Sequence, residues 1–183
     1  MDIVYTQQPF PDEWPSAIFL AGPTPRNAAT PSWRPEAIRL LREMGYEGVV
    51  FLPEVADGLW ADGPDAYISQ VAWERQGLDF ADVIVFWVPR DMDVLLGLTT
   101  NVELGLYAAS GKCVLGAPED APGIRYLKHA LEHATTDGTR SLTLEDTLAR
   151  AVQRIREMQP SASRTGGERG VPLFIWTLPT FQA

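Results

Sequence analysis

The sequence predicts an α/β protein: a mostly parallel sheet of about five strands with helices on both faces. Three observations carry this expectation. The run Ala81-Asp-Val-Ile-Val-Phe-Trp-Val-Pro89 has the length and the β-branched and aromatic content of a strand buried on both sides. Ala17–Ala21, Val49–Leu52 and Cys113–Gly116 are further short apolar runs bounded by Gly, Pro or polar residues. The stretches between them carry helical spacing, which is the crossover that parallel strands require.

Taken in order, the first residues up to Pro15 are rich in Pro and Gln, with a short extended piece at Ile3–Thr6. Ala17–Ala21 is the first strand of the alternating series, and Gly22-Pro-Thr-Pro-Arg26 a tight loop after it. Ser32 is the expected N-cap of a helix whose apolar face is Ala37, Leu40, Leu41 and Met44, stopped by Gly45. Val49–Leu52 is the second strand, ended by Pro53, and 54–64 is a loop. A helix over 65–78 is expected to bury Ile68, Val71 and Ala72. The third strand is Val83–Val88, and a helix follows from Thr100 to Ser110, closed by Gly111. Cys113–Gly116 is the fourth strand. A short helix over 127–134 and a longer one with Leu144, Leu148, Val152 and Ile155 on one stripe complete the series. Residues 161–170 read as a polar, mobile loop, and Val171–Leu178 as an apolar edge strand or a subunit contact. The βαβαβαβ alternation without internal repeats gives a flavodoxin-like or Rossmann-like three-layer sandwich, expected as a single domain over 1–183.

Composition narrows the function classes. The chain has 183 residues and a net charge of -9, with no basic cluster, so a nucleic-acid duplex is an unfavourable partner. No stretch approaches the ~20 apolar residues of a membrane span, and the N-terminus lacks a signal peptide's basic start and apolar core. The cytoplasm is the expected location. The single cysteine, Cys113, sits in a strand interior and reads as a buried structural thiol.

The residue types that carry chemistry cluster after the third strand. In open α/β sheets, ligands bind beyond the carboxyl ends of strands. The run Gly97-Leu-Thr-Thr-Asn-Val-Glu-Leu-Gly-Leu-Tyr107 places Glu103 there. Two readings stand side by side. Thr100-Asn-Val-Glu103 matches a capping box, in which Glu103 bonds back to the Thr100 amide. Alternatively, Glu103 is an ionised nucleophile favoured by the helix dipole. Gly22-Pro23-Thr24 reads as a rigid pocket wall. Arg26 and Arg34 flank it and suit a carboxylate or phosphate, although surface positions are the commoner fate of arginine. Asp82 precedes the third strand and caps a turn. Asp91 and Asp93 follow that strand, at the ligand edge or in a solvated loop. His129 and His133 are spaced for a metal on a helix but lack a third ligand, so a solvated face fits better. No dinucleotide or P-loop glycine motif occurs. A response-regulator reading wants a carboxylate pair where Ala21-Gly22-Pro23 stands, and a flavin reading wants a hydroxyl-rich phosphate loop there.

Ile18-Phe-Leu-Ala-Gly-Pro23, Ala81-Asp-Val-Ile-Val-Phe-Trp87 and Asn101-Val-Glu-Leu-Gly-Leu-Tyr-Ala108, in that order and followed by Ser110-Gly-Lys-Cys-Val-Leu115, resemble the nucleoside 2-deoxyribosyltransferase superfamily, in its deoxyribosyltransferase-like branch. The resemblance covers residues 18–116. It implies that Glu103 attacks C1′ of a nucleoside or nucleotide and displaces the base. A glycosyl-enzyme then passes to a second base or to water. It implies a second acidic residue before the third strand, a place that Glu74 occupies. It implies close backbone approach at Gly22, and substrate contacts from Pro23, Thr24, Arg26, Asp93, Thr99, Thr100 and Asn101. Where family transferases often carry Tyr, this chain has Ile18; where they carry an Asp before the nucleophile, the alignment reaches Gly97. A silent nucleotide-binding module, or a glycohydrolase of nucleoside monophosphates or NAD-type dinucleotides, are the alternatives on the same fold. The resemblance further implies a homo-oligomer; no metal or organic cofactor is indicated.

Overall fold

A computed structural model describes residues 1–25, 29–56, 64–135, 139–158 and 164–165. The strands are β1 (Asp2–Tyr5), β2 (Glu13–Trp14), β3 (Ala17–Ala21), β4 (Val49–Leu52), β5 (Val83–Trp87), β6 (Cys113–Gly116) and β7 (Arg164–Thr165). The helices are α1 (Arg34–Glu43), α2 (Pro64–Phe80), α3 (Leu98–Tyr107), α4 (Ile124–Ala134) and α5 (Leu144–Glu157). Five strands form one parallel sheet in the order β1-β4-β3-β5-β6, and β2 pairs antiparallel with β7. The expected α/β sandwich is thus what the chain adopts.

Alternation along the strands divides the core into two layers. Phe19, Phe51, Ile84, Phe86 and Leu115 pack with Trp73, Leu104 and Leu131 of α2, α3 and α4. Ile18, Val50, Val83, Val85 and Val114 pack with Leu41 of α1 and Leu148 of α5. Every residue of β3, β4, β5 and β6 is buried. That explains why their sequences are continuous apolar runs rather than alternating ones.

Several boundaries differ from expectation for identifiable reasons. The N-cap of α1 is Trp33; Ser32 lies one residue earlier, where its hydroxyl accepts the Arg34 N–H at 3.1 Å and donates to Glu54 at 2.7 Å. Helix α2 turns a different face inward: Trp73, Gly77 and Leu78 are buried, whereas Ile68 is 64% exposed and Ala72 is exposed. Phe10 from the N-terminal segment stacks on Trp73, and the Trp73 indole N–H donates to the Gln8 carbonyl at 2.8 Å, so that segment sets the rotation of α2. Helix α3 begins at Leu98 rather than Thr100. Part of the expected loop at 161–170 is strand, since Arg164 and Thr165 pair with Trp14 and Glu13. Residues 171–178 and Arg26 lie outside the described residues. Among the described residues no helix is long and apolar enough to cross a membrane.

Candidate active site

Strand order reverses at β3, which has β4 on one side and β5 on the other. Connections diverge there, and a crevice opens at the carboxyl ends of the strands. A cavity of about 520 Å³ fills that crevice. Its walls are the β3 exit (Ala21 to Pro25), Pro53 after β4, one face of α2 and the start of α3. Glu103 and Glu74 both line it.

The wall after β3 exists because Gly22 permits it. Gly22 has φ +148°, and a Cβ there would lie 2.1 Å from the Trp87 carbonyl oxygen and 2.9 Å from the Trp33 ring. Only glycine accepts both the dihedral and the contact. Behind the wall lies Arg34, with 0% exposure. Its Nε donates to the Leu20 carbonyl at 3.1 Å and its Nη2 to the Gly22 carbonyl at 2.9 Å. Its Nη1 donates to Thr24 Oγ1 at 3.1 Å and to Glu54 Oε1 at 2.7 Å. The guanidinium carbon also sits 4.7 Å from the Trp33 ring centroid. Arg34 is therefore the clamp of the β3 loop, correcting the expectation of a surface residue. Burial pulls its pKa below the usual range, opposed by the nearby charges of Glu54, Glu103 and Glu74. One sequence signal pointed this way: a cation in the first turn of a helix opposes the helix dipole, so its reason lies elsewhere.

The geometry of α3 decides between the two readings of Glu103. The N-cap is Gly97, in the left-handed conformation at φ 63°. Thr100 is the third helical residue and Glu103 the sixth, so the capping-box register does not exist. Among the described residues the Glu103 carboxyl accepts no hydrogen bond, and it faces the cavity. Burial, reinforced by the neighbouring charge of Glu74, pushes its pKa up to about 7, with Arg34 pulling the other way. The expected stabilisation by the helix dipole does not dominate, because Glu103 lies beyond the first turn where that effect acts. Glu74 is also raised, chiefly by burial, while Gln70 donates to its Oε1 at 2.8 Å.

A second cavity, of about 260 Å³, opens between α2 and α3. Tyr67, Val71, Glu74, Thr99 and Glu103 line both, so the two chambers meet at the carboxyl pair.

The remaining sequence candidates separate clearly. Gly22, Pro23, Thr24, Thr99 and Thr100 line the larger chamber. Asp93 is exposed in a turn closed by the Asp91–Leu95 bridge; Asp91 accepts its N–H at 2.8 Å, and it lines neither chamber. Asn101 faces away, its Oδ1 accepting from Arg90 Nη2. Ile18 points into the α1–α5 layer, whereas Phe19 and Ala21 of β3 reach the chamber. Asp82 accepts the Ala17 N–H at 2.7 Å and pins the start of β3. The Cys113 thiol is buried, and that burial pushes its pKa up to about 12. His129 and His133 are exposed, and among the described residues no group of three or more His, Cys, Asp or Glu side chains is arranged to hold a metal. Sequence reasoning missed the Tyr107–Asp79 pair in the smaller chamber.

No curated protein matches the chain. A family model described as nucleoside 2-deoxyribosyltransferase like matches residues 15–121, a span that runs from β3 through α3 and β6 and contains both carboxylates. That span exceeds half of the 183 residues, and the chain belongs to the nucleoside 2-deoxyribosyltransferase-like family.

Proposed function

We propose that this protein cleaves, or transfers at, the N-glycosidic bond of a deoxynucleoside, nucleoside or nucleotide through a covalent intermediate on Glu103. The observation that carries the proposal is the placement of Glu103. Its carboxyl has no hydrogen-bond partner among the described residues, opens to a crevice at the switch point of the sheet, and is electrostatically coupled to Glu74.

Burial raises both carboxyls, which favours a proton held between them, and retaining glycosyl chemistry needs one ionised and one protonated acid; the roles proposed here require that proton to sit on Glu74 once substrate is bound. In this mechanism the ionised Glu103 forms a bond to C1′ as the bond to the base nitrogen breaks. The Glu74 proton goes to the departing base. Water or an incoming base then attacks C1′ from the vacated side, gives its proton to Glu74, and releases Glu103. Two inversions give net retention. Arg34, by pinning the Gly22 and Thr24 wall, holds the sugar site without entering the reaction. Hydroxyls of Thr24, Thr99 and Thr100 and the open amides of the first turn of α3 suit a sugar or its 5′-phosphate.

The mouth of the crevice supports a homo-oligomer. Tyr67 and Leu98 line it and are 67% and 61% exposed, with Ile68 and Val102 exposed beside them. A second copy covering these side chains would also keep water from the glycosyl-enzyme, the feature that separates a transferase from a hydrolase.

The direct test supplies deoxynucleosides with a free acceptor base, and separately nucleoside 5′-monophosphates, and follows base exchange or release by chromatography. Turnover that disappears in Glu103→Gln, with the fold intact, is the expected result. Equal turnover in that variant would refute the role of Glu103.

A further inference from the structure

The two chambers that meet at Glu103 differ in chemistry, and the difference assigns the two halves of the substrate. This inference rests on the glycosidic reading above. The sheet-edge chamber carries Thr24, Thr99 and Thr100 and the first turn of α3 among its lining, polar groups that suit a sugar. The α2–α3 chamber has apolar walls from Val71, Leu78, Val102 and Leu106. At about 260 Å³ it falls below the ~300 Å³ at which pockets for whole ligands begin, so it takes one flat ring system rather than a nucleoside.

At the Asp79–Tyr107 end of this small chamber the polar groups are one-sided. The Tyr107 hydroxyl donates to Asp79 Oδ1 at 2.6 Å. That bond uses the only proton the phenol has. Burial together with Asp79 holds the phenol far above its usual pKa, so it stays protonated. The second Asp79 oxygen accepts nothing from any described residue. The pair therefore offers the chamber acceptors: that carboxylate oxygen and the phenol's lone pairs. Arg75, the one cation among the lining residues, is exposed.

We propose that the nucleobase occupies the α2–α3 chamber, with the glycosidic bond lying across Glu103 and Glu74, and that the Asp79–Tyr107 pair selects bases carrying an amino group, the adenine and cytosine class. An exocyclic amine donates to the free Asp79 oxygen. An oxo group in its place sets a carbonyl against a carboxylate, leaving two buried acceptors facing each other unpaired. Such a mismatch at a site built for a donor discriminates strongly.

Calorimetry with free adenine, cytosine, hypoxanthine and uracil tests this on the wild type, Asp79→Asn, Leu106→Trp and Val102→Trp. Ribose 5-phosphate serves as the sugar-side probe, and near-UV circular dichroism checks the fold. The wild type is expected to bind the amino bases about tenfold or more tighter than the oxo bases, the factor set by one charge-assisted hydrogen bond. In Asp79→Asn the introduced amide still accepts from Tyr107 but presents a donor, so the preference falls or reverses. A tryptophan at 106, or at the exposed position 102, fills the chamber and removes base binding while ribose 5-phosphate binding stays. Equal wild-type affinity for the two base classes, an unchanged ratio in folded Asp79→Asn, or base binding untouched by both tryptophans would overturn the assignment. The two readings fail differently. Base binding that depends on Asp79 without nucleoside turnover removes the enzyme and keeps the chamber. Glu103-dependent base release with the same base preference in Asp79→Asn removes the chamber and keeps the enzyme.

Discussion

Glu103 occupies a place where its own charge is unfavourable, and that has a measurable sign. Its pKa rises from the ordinary 4.5 to about 7, so the folded state holds the proton longer than the unfolded chain. Below about pH 4.5 both states are protonated and the carboxyl costs nothing. Between about pH 4.5 and 7 the unfolded chain ionises first, and stability falls as pH rises. Above that window the full cost remains, on the order of 3 kcal/mol at 1.36 kcal/mol per pKa unit. Glu103→Gln should therefore be more stable than the wild type in urea at pH 8, by on the order of 2–3 kcal/mol, with the gain fading at pH 4. A variant that is no more stable at pH 8 would mean that the carboxyl is well solvated or well paired. The run Thr-Asn-Val-Glu showed the residue plainly, but not its state. A capping box and a free carboxyl share the same letters, and only the helix start at Leu98 tells them apart.

At the level of elements, the site is a loop held from behind. The β3 exit can turn toward the sheet edge because Gly22 accepts φ +148°, and it stays there because four donations from the Arg34 guanidinium fix it. Replacing Arg34 by Met removes those bonds and strands the Glu54 carboxylate, which is largely buried. Breaking a buried pair in this way costs about 3–5 kcal/mol. Chemical denaturation of Arg34→Met should show a loss of that size; a loss below about 1 kcal/mol would place the clamp elsewhere. Lysine does not substitute well, since one ammonium does not reproduce a planar fork. Strands β3 to β6 were legible because burial on both faces writes continuous apolar runs. Helix α2 was legible as a helix but not in its orientation. It covers the core with Trp73 and Leu78, while Tyr67 and Val71 line the chambers and Ile68 is exposed, so apolar residues occur outside the core stripe. Arg34 was hidden for a related reason: an arginine that bonds to backbone carbonyls needs no acidic partner at a recognisable spacing.

For the molecule as a whole, the order β1-β4-β3-β5-β6 turns a local sequence pattern into a site. Residues about eighty positions apart, Gly22 and Glu103, line one crevice because β3 and β5 are neighbours and both end there. That ligands bind at the carboxyl edge of a parallel sheet could be anticipated without coordinates, whereas the β3–β5 adjacency could not, because the crossover from β4 to β5 passes over β3. The small chamber could not, since it depends on how α2 and α3 lean together. The exposed Tyr67, Ile68, Leu98 and Val102 predict a dimer or larger assembly by light scattering, converted to monomer with reduced transfer activity by Ile68→Glu. A wild-type monomer would contradict that. The account turns most directly on the covalent step. Acid quenching during turnover, followed by intact mass and peptide mapping, should find one glycosyl residue esterified on the peptide bearing Glu103, and none on Glu103→Gln. Turnover with an adduct on another residue, or an equal adduct on Glu103→Gln, would contradict it.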